Sequence, residues 1–171
     1  MNQKVVPAYF AGFAPSDGIE LGRFVLDSTL AANAESWTLV RMQRLLRTAL
    51  PGVRGIVAYC DPVERRDEQG NVVKRGHVGT IYRATNAAFR GSSSARTLWL
   101  APSGACLSDR LLSKVRLAET GERYAIQRLM ALGAPRRCPH ESGVDYVDRL
   151  KEIHWLRPVR HPGNLAFTWT L

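Results

Sequence analysis

The sequence predicts an α/β protein with a mixed central sheet and helices on both faces. Runs rich in Val, Ile and aromatic residues alternate with segments whose apolar residues recur at helical spacing. The chain has 171 residues, 45% of them hydrophobic, which suits one domain over residues 1–171 with a sizeable core. It contains no apolar run of about 18 residues and no visible secretory signal, so we expect no membrane span.

Each predicted element is bounded by turn residues. The predicted strands occupy residues 5–13, 19–26, 56–59, 96–101 and 165–171. The predicted helices occupy residues 33–48, 80–88, 110–132 and 144–155. Gly121 is expected to divide the third helix and Gly133 to end it. Residues 102–104 predict a hairpin turn, and residues 63–75 predict a polar loop.

The central stretch, residues 55–86, holds the candidate catalytic residues. Asp61 ends a predicted buried strand, and His77 precedes the next predicted helix, so the two should lie close together. Tyr82 follows in the first turns of that helix. The three side chains could exchange protons with a substrate or hold an iron ion through imidazole and oxygen ligands. The alternatives are a loop histidine, a core tyrosine and a turn carboxylate.

Positive charge is concentrated in one part of the chain. The net charge is +9, and residues 83–137 contain ten Lys and Arg against three Asp and Glu. Such a segment attracts polyanions, so nucleic acid is the expected partner, although many basic proteins bind no DNA. The candidate DNA-binding residues are Arg83, Asn86, Ser108, Asp109, Arg110, Lys114 and Arg116. Asn86 could read an adenine edge or cap a helix, and the basic residues could contact phosphates or form a solvated face.

The cysteines indicate a reducing compartment. Cys60, Cys106 and Cys138 are odd in number, far apart, and form no CxxC pair. We therefore expect three free thiols and a cytoplasmic location.

Several segments together resemble one family. They are GHVGTIYRATN, GIVAYCDP, ELGRF, ANAESWTLVR, SARTLWLAPSG, LSDRLLSKVR and RHPGN, and they cover the chain from about Glu20 to its end. In this order they resemble the Mom-like phage DNA-modification proteins. The resemblance implies a GNAT-like fold, that of the GCN5-related N-acyltransferases. It also implies conversion of the N6 amine of adenine to a carbamoylmethyl form, which hides phage DNA from restriction nucleases in the bacterial cytoplasm.

The resemblance also implies where a donor binds. The helix from Asn33 corresponds to the one whose start holds the pyrophosphate of acyl-CoA, so an acyl-CoA-type donor is expected. The candidate donor-binding residues are Asn33, Ser36, Gly79 and Thr80. The segment LAANAES contains no glycine, unlike the usual pyrophosphate turn. Two other functions stay open: an N-acyltransferase for a small molecule or protein, and a non-enzymatic DNA-binding or host-interaction protein.

Overall fold

The computed structural model describes residues 4–27 and 29–171, which form two compact units. Unit 1 comprises Met1–Pro62, His77–Ser94 and Pro162–Leu171. Unit 2 comprises Val63–Gly76 and Ala95–His161. That the whole chain folds as a single domain stays a prediction, and residues 1–3 and 28 of that domain lie outside the described residues.

Unit 1 is built on a four-stranded mixed sheet. The strand order is β1 (Gly18–Leu21), β2 (Gly55–Cys60), β9 (Leu165–Thr170) and β5 (Ala88–Ser92). β1 and β2 are parallel, whereas β9 is antiparallel to both of its neighbours. Every residue of β2 except Tyr59 is buried, as expected for a central strand of apolar and β-branched residues.

Helices cover both faces of this sheet, as predicted. Ile56 and Ala58 pack with Leu39 of α2 (Ala34–Ala49) and with α3 (Thr80–Ala84). Val57 points to the opposite face, because side chains alternate along a strand. There it packs against α1 (Val5–Tyr9).

Unit 2 has its own sheets and core. Its three-stranded sheet has the order β7 (Cys106–Leu107), β6 (Arg96–Leu100), β8 (Arg157–His161). A hairpin joins β3 (Arg65–Arg66) to β4 (Val72–Lys74). The helices are α4 (Asp109–Arg116), α5 (Glu122–Ala131) and α6 (Gly143–Glu152). Their buried residues form one core around Val115, Leu129, Tyr146 and Leu150. The expectation of one central sheet is therefore wrong, because the described residues form three sheets.

Several predicted elements need correction, among them the polar loop of residues 63–75, which contains the β3–β4 hairpin. Residues 5–13 are not an edge strand but contain α1, because Val6 and Phe10, four residues apart, bury the same helical face. Pro7 is compatible with this helix because the amides of the first turn have no helical partner. The second strand ends at Leu21 rather than residue 26.

The helix over residues 80–88 is also shorter than predicted. It ends at Ala84, and Asn86 has a φ of 62°, so the chain leaves the helical conformation and forms β5.

Other predictions are confirmed. Gly121 separates α4 from α5 with a φ of 91°, and β6 and β7 pair as a hairpin. All three cysteines are free thiols. Within residues 4–27 and 29–171, the helices are all too short or too polar to cross a bilayer.

Candidate functional site

Asp61 and His77 meet where the chain leaves unit 1 and returns to it. β2 ends at Cys60, and the following residues 63–76 belong to unit 2. The backbone N–H of His77 donates a hydrogen bond of 2.8 Å to the carbonyl oxygen of Asp61. This bond places the start of α3 beside the end of β2, so the structure brings these two predicted residues together.

Tyr82 completes the group. Its ring centroid lies 5.1 Å from that of His77, with an angle of 47° between the planes. Tyr82 is buried and makes edge contacts with Phe167 at 5.4 Å and Trp169 at 5.3 Å. Three aromatic partners hold this ring in one orientation. Tyr82 therefore belongs to the core of unit 1 and also borders His77.

The environment of Tyr82 keeps its hydroxyl protonated. Burial raises the pKa of the phenol, and electrostatic interactions with Cys60 and Glu35 raise it further. Glu35 lies in the first turn of α2 and Cys60 at the end of β2. At neutral pH the phenol is a hydrogen-bond donor at a point where these elements converge.

Gly79 orients the imidazole of His77. The backbone N–H of Gly79 donates a hydrogen bond of 3.2 Å to Nδ1 of His77. This bond requires a lone pair on Nδ1, so the neutral ring carries its proton on Nε2. Gly79, which immediately precedes α3, has a φ of 79°, and a residue with a side chain rarely adopts this positive φ. In this tautomer the Nε2–H of His77 is a hydrogen-bond donor, and Nδ1 is the acceptor.

The three residues fit the predicted iron site poorly. A tyrosine binds iron as phenolate, and the raised pKa of Tyr82 opposes the loss of its proton. In the described part of the chain, no three His, Cys, Asp or Glu side chains are grouped so that they could hold a metal ion. The arrangement is suited to hydrogen bonding and proton transfer.

Two of the four predicted donor-binding residues line a cleft at the start of α2. This cleft, called the α2 cleft below, has a volume of about 410 Å³. It is lined by Asn33, Ser36, Trp37, Val40, Arg41, Arg44, Ala84 and Thr85. Asn33 occupies the N-cap position, but its side chain makes no capping hydrogen bond. Gly79 and Thr80 lie at the opposite end of α3, away from this lining. Donor binding by the four residues stays a prediction.

Of the predicted DNA-binding residues, Arg83 and Asn86 lie in unit 1. The guanidinium of Arg83 stands over the rings of Phe89 at 5.2 Å and Phe167 at 5.3 Å. Asn86 is exposed, and its N–H donates to the carbonyl oxygen of Arg83 at 3.0 Å. Asn86 therefore terminates α3, and its side chain is available to a partner.

The remaining DNA-binding candidates lie on α4 in unit 2. Ser108 is the N-cap and accepts a 3.2 Å hydrogen bond from the N–H of Leu111, and Asp109 follows in the first turn. Arg110 and Lys114 line the same small cavity of about 160 Å³, as their spacing of four residues predicts. Arg110 also pairs with Glu119 at 3.1 Å. Arg116 is exposed and does not line that cavity.

Sequence reasoning missed six of the eight residues that line the α2 cleft, and three of these six carry its aromatic and charged groups. Trp37, Arg41 and Arg44 are four and three residues apart on α2, so they lie along one side of the helix. The pattern that could have indicated a binding site is the aromatic residue followed by two arginines at helical spacing. It was obscured because Trp37 also fits the apolar periodicity of the helix.

The protein is an α/β protein in which a buried tyrosine, Tyr82, lies beside the ring of His77, and the backbone of His77 is hydrogen-bonded to that of Asp61 at a strand end. The model of the Mom protein family matches residues 1–137, and the chain belongs to this family. No curated protein sequence matches the chain. All of the predicted site residues fall within the matched segment, and membership in the family points to modification of phage DNA.

Proposed function

We propose that this protein is an enzyme that converts the N6 amine of adenine in DNA to a carbamoylmethyl form. It would act in the cytoplasm of a bacterial host and protect phage DNA from restriction. The observation that carries the proposal is the family match over the segment that contains Asp61, His77 and Tyr82. The excess of ten Lys and Arg over three Asp and Glu in residues 83–137 supports DNA as the substrate.

The reaction sets clear chemical requirements. The adenine must leave the base stack, or be met in single-stranded DNA, before its amine can react. The amine nitrogen forms a bond to the methylene carbon of the incoming group and loses one proton. The donor, an activated carbamoylmethyl compound, loses the group bound to that carbon together with the bonding electron pair. The site must therefore accept a proton and orient the base.

The geometry supports a division of these tasks. The carboxylate of Asp61, half-buried beyond the end of β2, is the proposed proton acceptor. His77 presents Nε2–H, because its Nδ1 accepts the N–H of Gly79, and it can donate to an acceptor nitrogen of adenine. Tyr82 keeps its proton and supports the His77 ring at 5.1 Å.

Mass spectrometry of nucleosides from cells that express the protein tests this proposal. Parental protein should produce a modified adenine whose added mass matches a carbamoylmethyl group. Asp61→Asn and His77→Ala should each reduce the modification by roughly a hundredfold, the scale of a positioned acid–base group. Tyr82→Phe tests whether its hydroxyl contributes beyond packing.

Tyr146→Phe is the matched control for Tyr82→Phe. Tyr146 is also buried, but it lies in unit 2 and donates its hydroxyl to the carbonyl oxygen of Pro135 at 2.8 Å. This control should lose stability without losing modification. The thermal midpoint of each variant separates chemistry from unfolding. Unmodified adenine in cells that contain folded parental protein would contradict the proposal.

A further inference from the structure

We propose that the α2 cleft binds an unpaired nucleotide of the DNA strand, with Trp37 stacked on its base and Arg41 and Arg44 facing its phosphates. The proposal rests on the proposed function in one respect, namely that DNA is the substrate. It adds a DNA-binding site whose aromatic and cationic side chains, on α2, lie outside the basic segment of residues 83–137, and it names the ligand as single-stranded nucleic acid.

The ring of Trp37 is exposed enough to stack on a nucleobase. Its side chain is 63% exposed, whereas Trp155 and Trp169 are buried and Trp99 is half-buried. The guanidinium of Arg41 lies 5.5 Å from the centre of the Trp37 ring and restricts its motion. A large aromatic side chain fixed at the surface beside a cation is the usual platform for a nucleobase in proteins that bind single strands.

The arginines of α2 are free to bind an external anion. Arg41, Arg44 and Arg47 are exposed, and within residues 4–27 and 29–171 none of them forms a salt bridge. Arg41 and Arg44 line the α2 cleft, whereas Arg47 lies beyond it. Three uncompensated positive charges along one helix create a local potential that favours a polyanion.

The cleft is also large enough for a nucleotide, and it belongs to the same unit as the candidate catalytic residues. Its volume of about 410 Å³ lies within the usual range of ligand sites. Ala84 and Thr85 form its second wall, and they directly follow Tyr82 and Arg83 on α3. A nucleotide in the cleft would therefore lie beside the C-terminal end of α3, in the unit that also contains Tyr82.

The charge arrangement favours a DNA strand over the pyrophosphate of a donor. A pyrophosphate needs adjacent backbone amides, usually exposed by glycines, and the segment before α2 contains none. Arg41 and Arg44 instead lie in the second and third turns of α2, about 4.5 Å apart along its axis. A row of separated cations matches the successive phosphates of an extended strand.

A short single-stranded oligothymidylate tests the proposal, since it contains no adenine to modify. Binding should quench tryptophan fluorescence at low salt. Trp37→Ala should abolish the quenching and weaken binding by about tenfold or more. Arg44→Gln should weaken binding and make the salt dependence of log affinity less steep by about 0.7. Arg47→Gln, with the same change of charge on the same helix but outside the cleft, should have a smaller effect.

Two results would overturn the assignment. The first is that Arg44→Gln and Arg47→Gln weaken oligonucleotide binding equally while Trp37→Ala leaves it unchanged. Binding would then be explained by the general positive charge of the protein alone. The other is displacement of the oligonucleotide by coenzyme A at similar concentration, which would make the cleft a donor site. Parental protein that binds the oligonucleotide through Trp37 but leaves cellular adenine unmodified would contradict the proposed function and support the cleft assignment.

Discussion

The indole N–H of Trp169 donates hydrogen bonds to both the carbonyl and the hydroxyl oxygen of Thr85, at 2.9 Å and 3.2 Å. The Thr85 hydroxyl also lies 3.0 Å from the carbonyl oxygens of Ile81 and Tyr82. Thr85 is buried, so these bonds have no competition from water. They fix the end of α3, and with it Tyr82, to the central part of the unit 1 sheet.

Replacement of this hydroxyl should loosen that connection. Thr85→Val keeps the shape of the side chain but leaves buried acceptors without their donor, so the free energy of unfolding should fall by about 1–3 kcal/mol. Urea unfolding measures the change. Thr170→Val, at the exposed end of β9, is the control and should be nearly neutral. Equal stability of the two variants would exclude a structural role for the Thr85 hydroxyl.

The glycine that binds Nδ1 of His77 should not tolerate a side chain. Gly79 has a φ of 79°, and an added methyl group would overlap the ring of Phe167. Gly91 has a φ of 92° with open space around it, so Gly91→Ala measures backbone strain alone, about 1–2 kcal/mol. Gly79→Ala should cost about 1–3 kcal/mol more because of the overlap. Thermal or urea unfolding measures the loss of stability in each variant. An equal loss in both would refute the close contact between Gly79 and the Phe167 ring.

The ion pair of Glu141 and Arg149 should make stability depend on pH. Arg149 donates to both carboxylate oxygens, at 2.6 Å and 2.9 Å, and lowers the pKa of Glu141 to about 2 from its ordinary 4.5. A carboxyl group whose pKa is lower in the folded state than in the unfolded state stabilises the folded protein at any pH above the unfolded-state pKa. This stabilisation is lost as the pH falls toward the folded-state pKa. Stability should therefore decrease between pH 4.5 and about 2.

Glu141→Gln isolates this contribution. Its stability should fall less steeply over the same pH interval, because an amide does not titrate. Urea unfolding at several pH values compares the two proteins. The same slope in both would show that other carboxylates cause the acid sensitivity.

The basic face of α4 should contribute to DNA binding through phosphates. Replacement of Arg110 and Lys114 by Gln should weaken binding to unrelated duplex sequences alike, because phosphate contacts carry no sequence information. The slope of log affinity against log salt should become less steep by about 1.8. Arg23→Gln with Arg160→Gln removes the same charge from exposed positions outside residues 83–137. If this control has the same effect, net charge and not the α4 surface determines the binding.

Local patterns in the sequence were enough to predict the neighbourhood of the candidate site. The apolar run before Asp61 and the glycines around His77 predicted a strand end and a helix start, and the structure joins them by a backbone hydrogen bond. The division of the helix at Gly121 was predictable because glycine readily adopts the φ of 91° that the break requires.

The remaining features depend on distant contacts. The first residues were predicted as a strand because their apolar character fits either structure, and only the burial of Val6 and Phe10 against Val57 distinguishes them. The second sheet was missed because strand pairing is decided by residues far apart, as for Leu98 and Val159. The α2 cleft was missed because its other wall, at Thr85, belongs to another helix.

The pairing of β2 with β9 has a consequence for synthesis on the ribosome. Val57 pairs with Thr168, so more than a hundred residues are synthesised between β2 and its antiparallel neighbour β9. Phe167 and Trp169, which enclose Tyr82, arrive in the same late segment. The basic helix α4 is translated about fifty residues earlier. Truncation before β9 would therefore remove the aromatic partners of Tyr82 while leaving the segments of unit 2 intact, because unit 2 ends at His161.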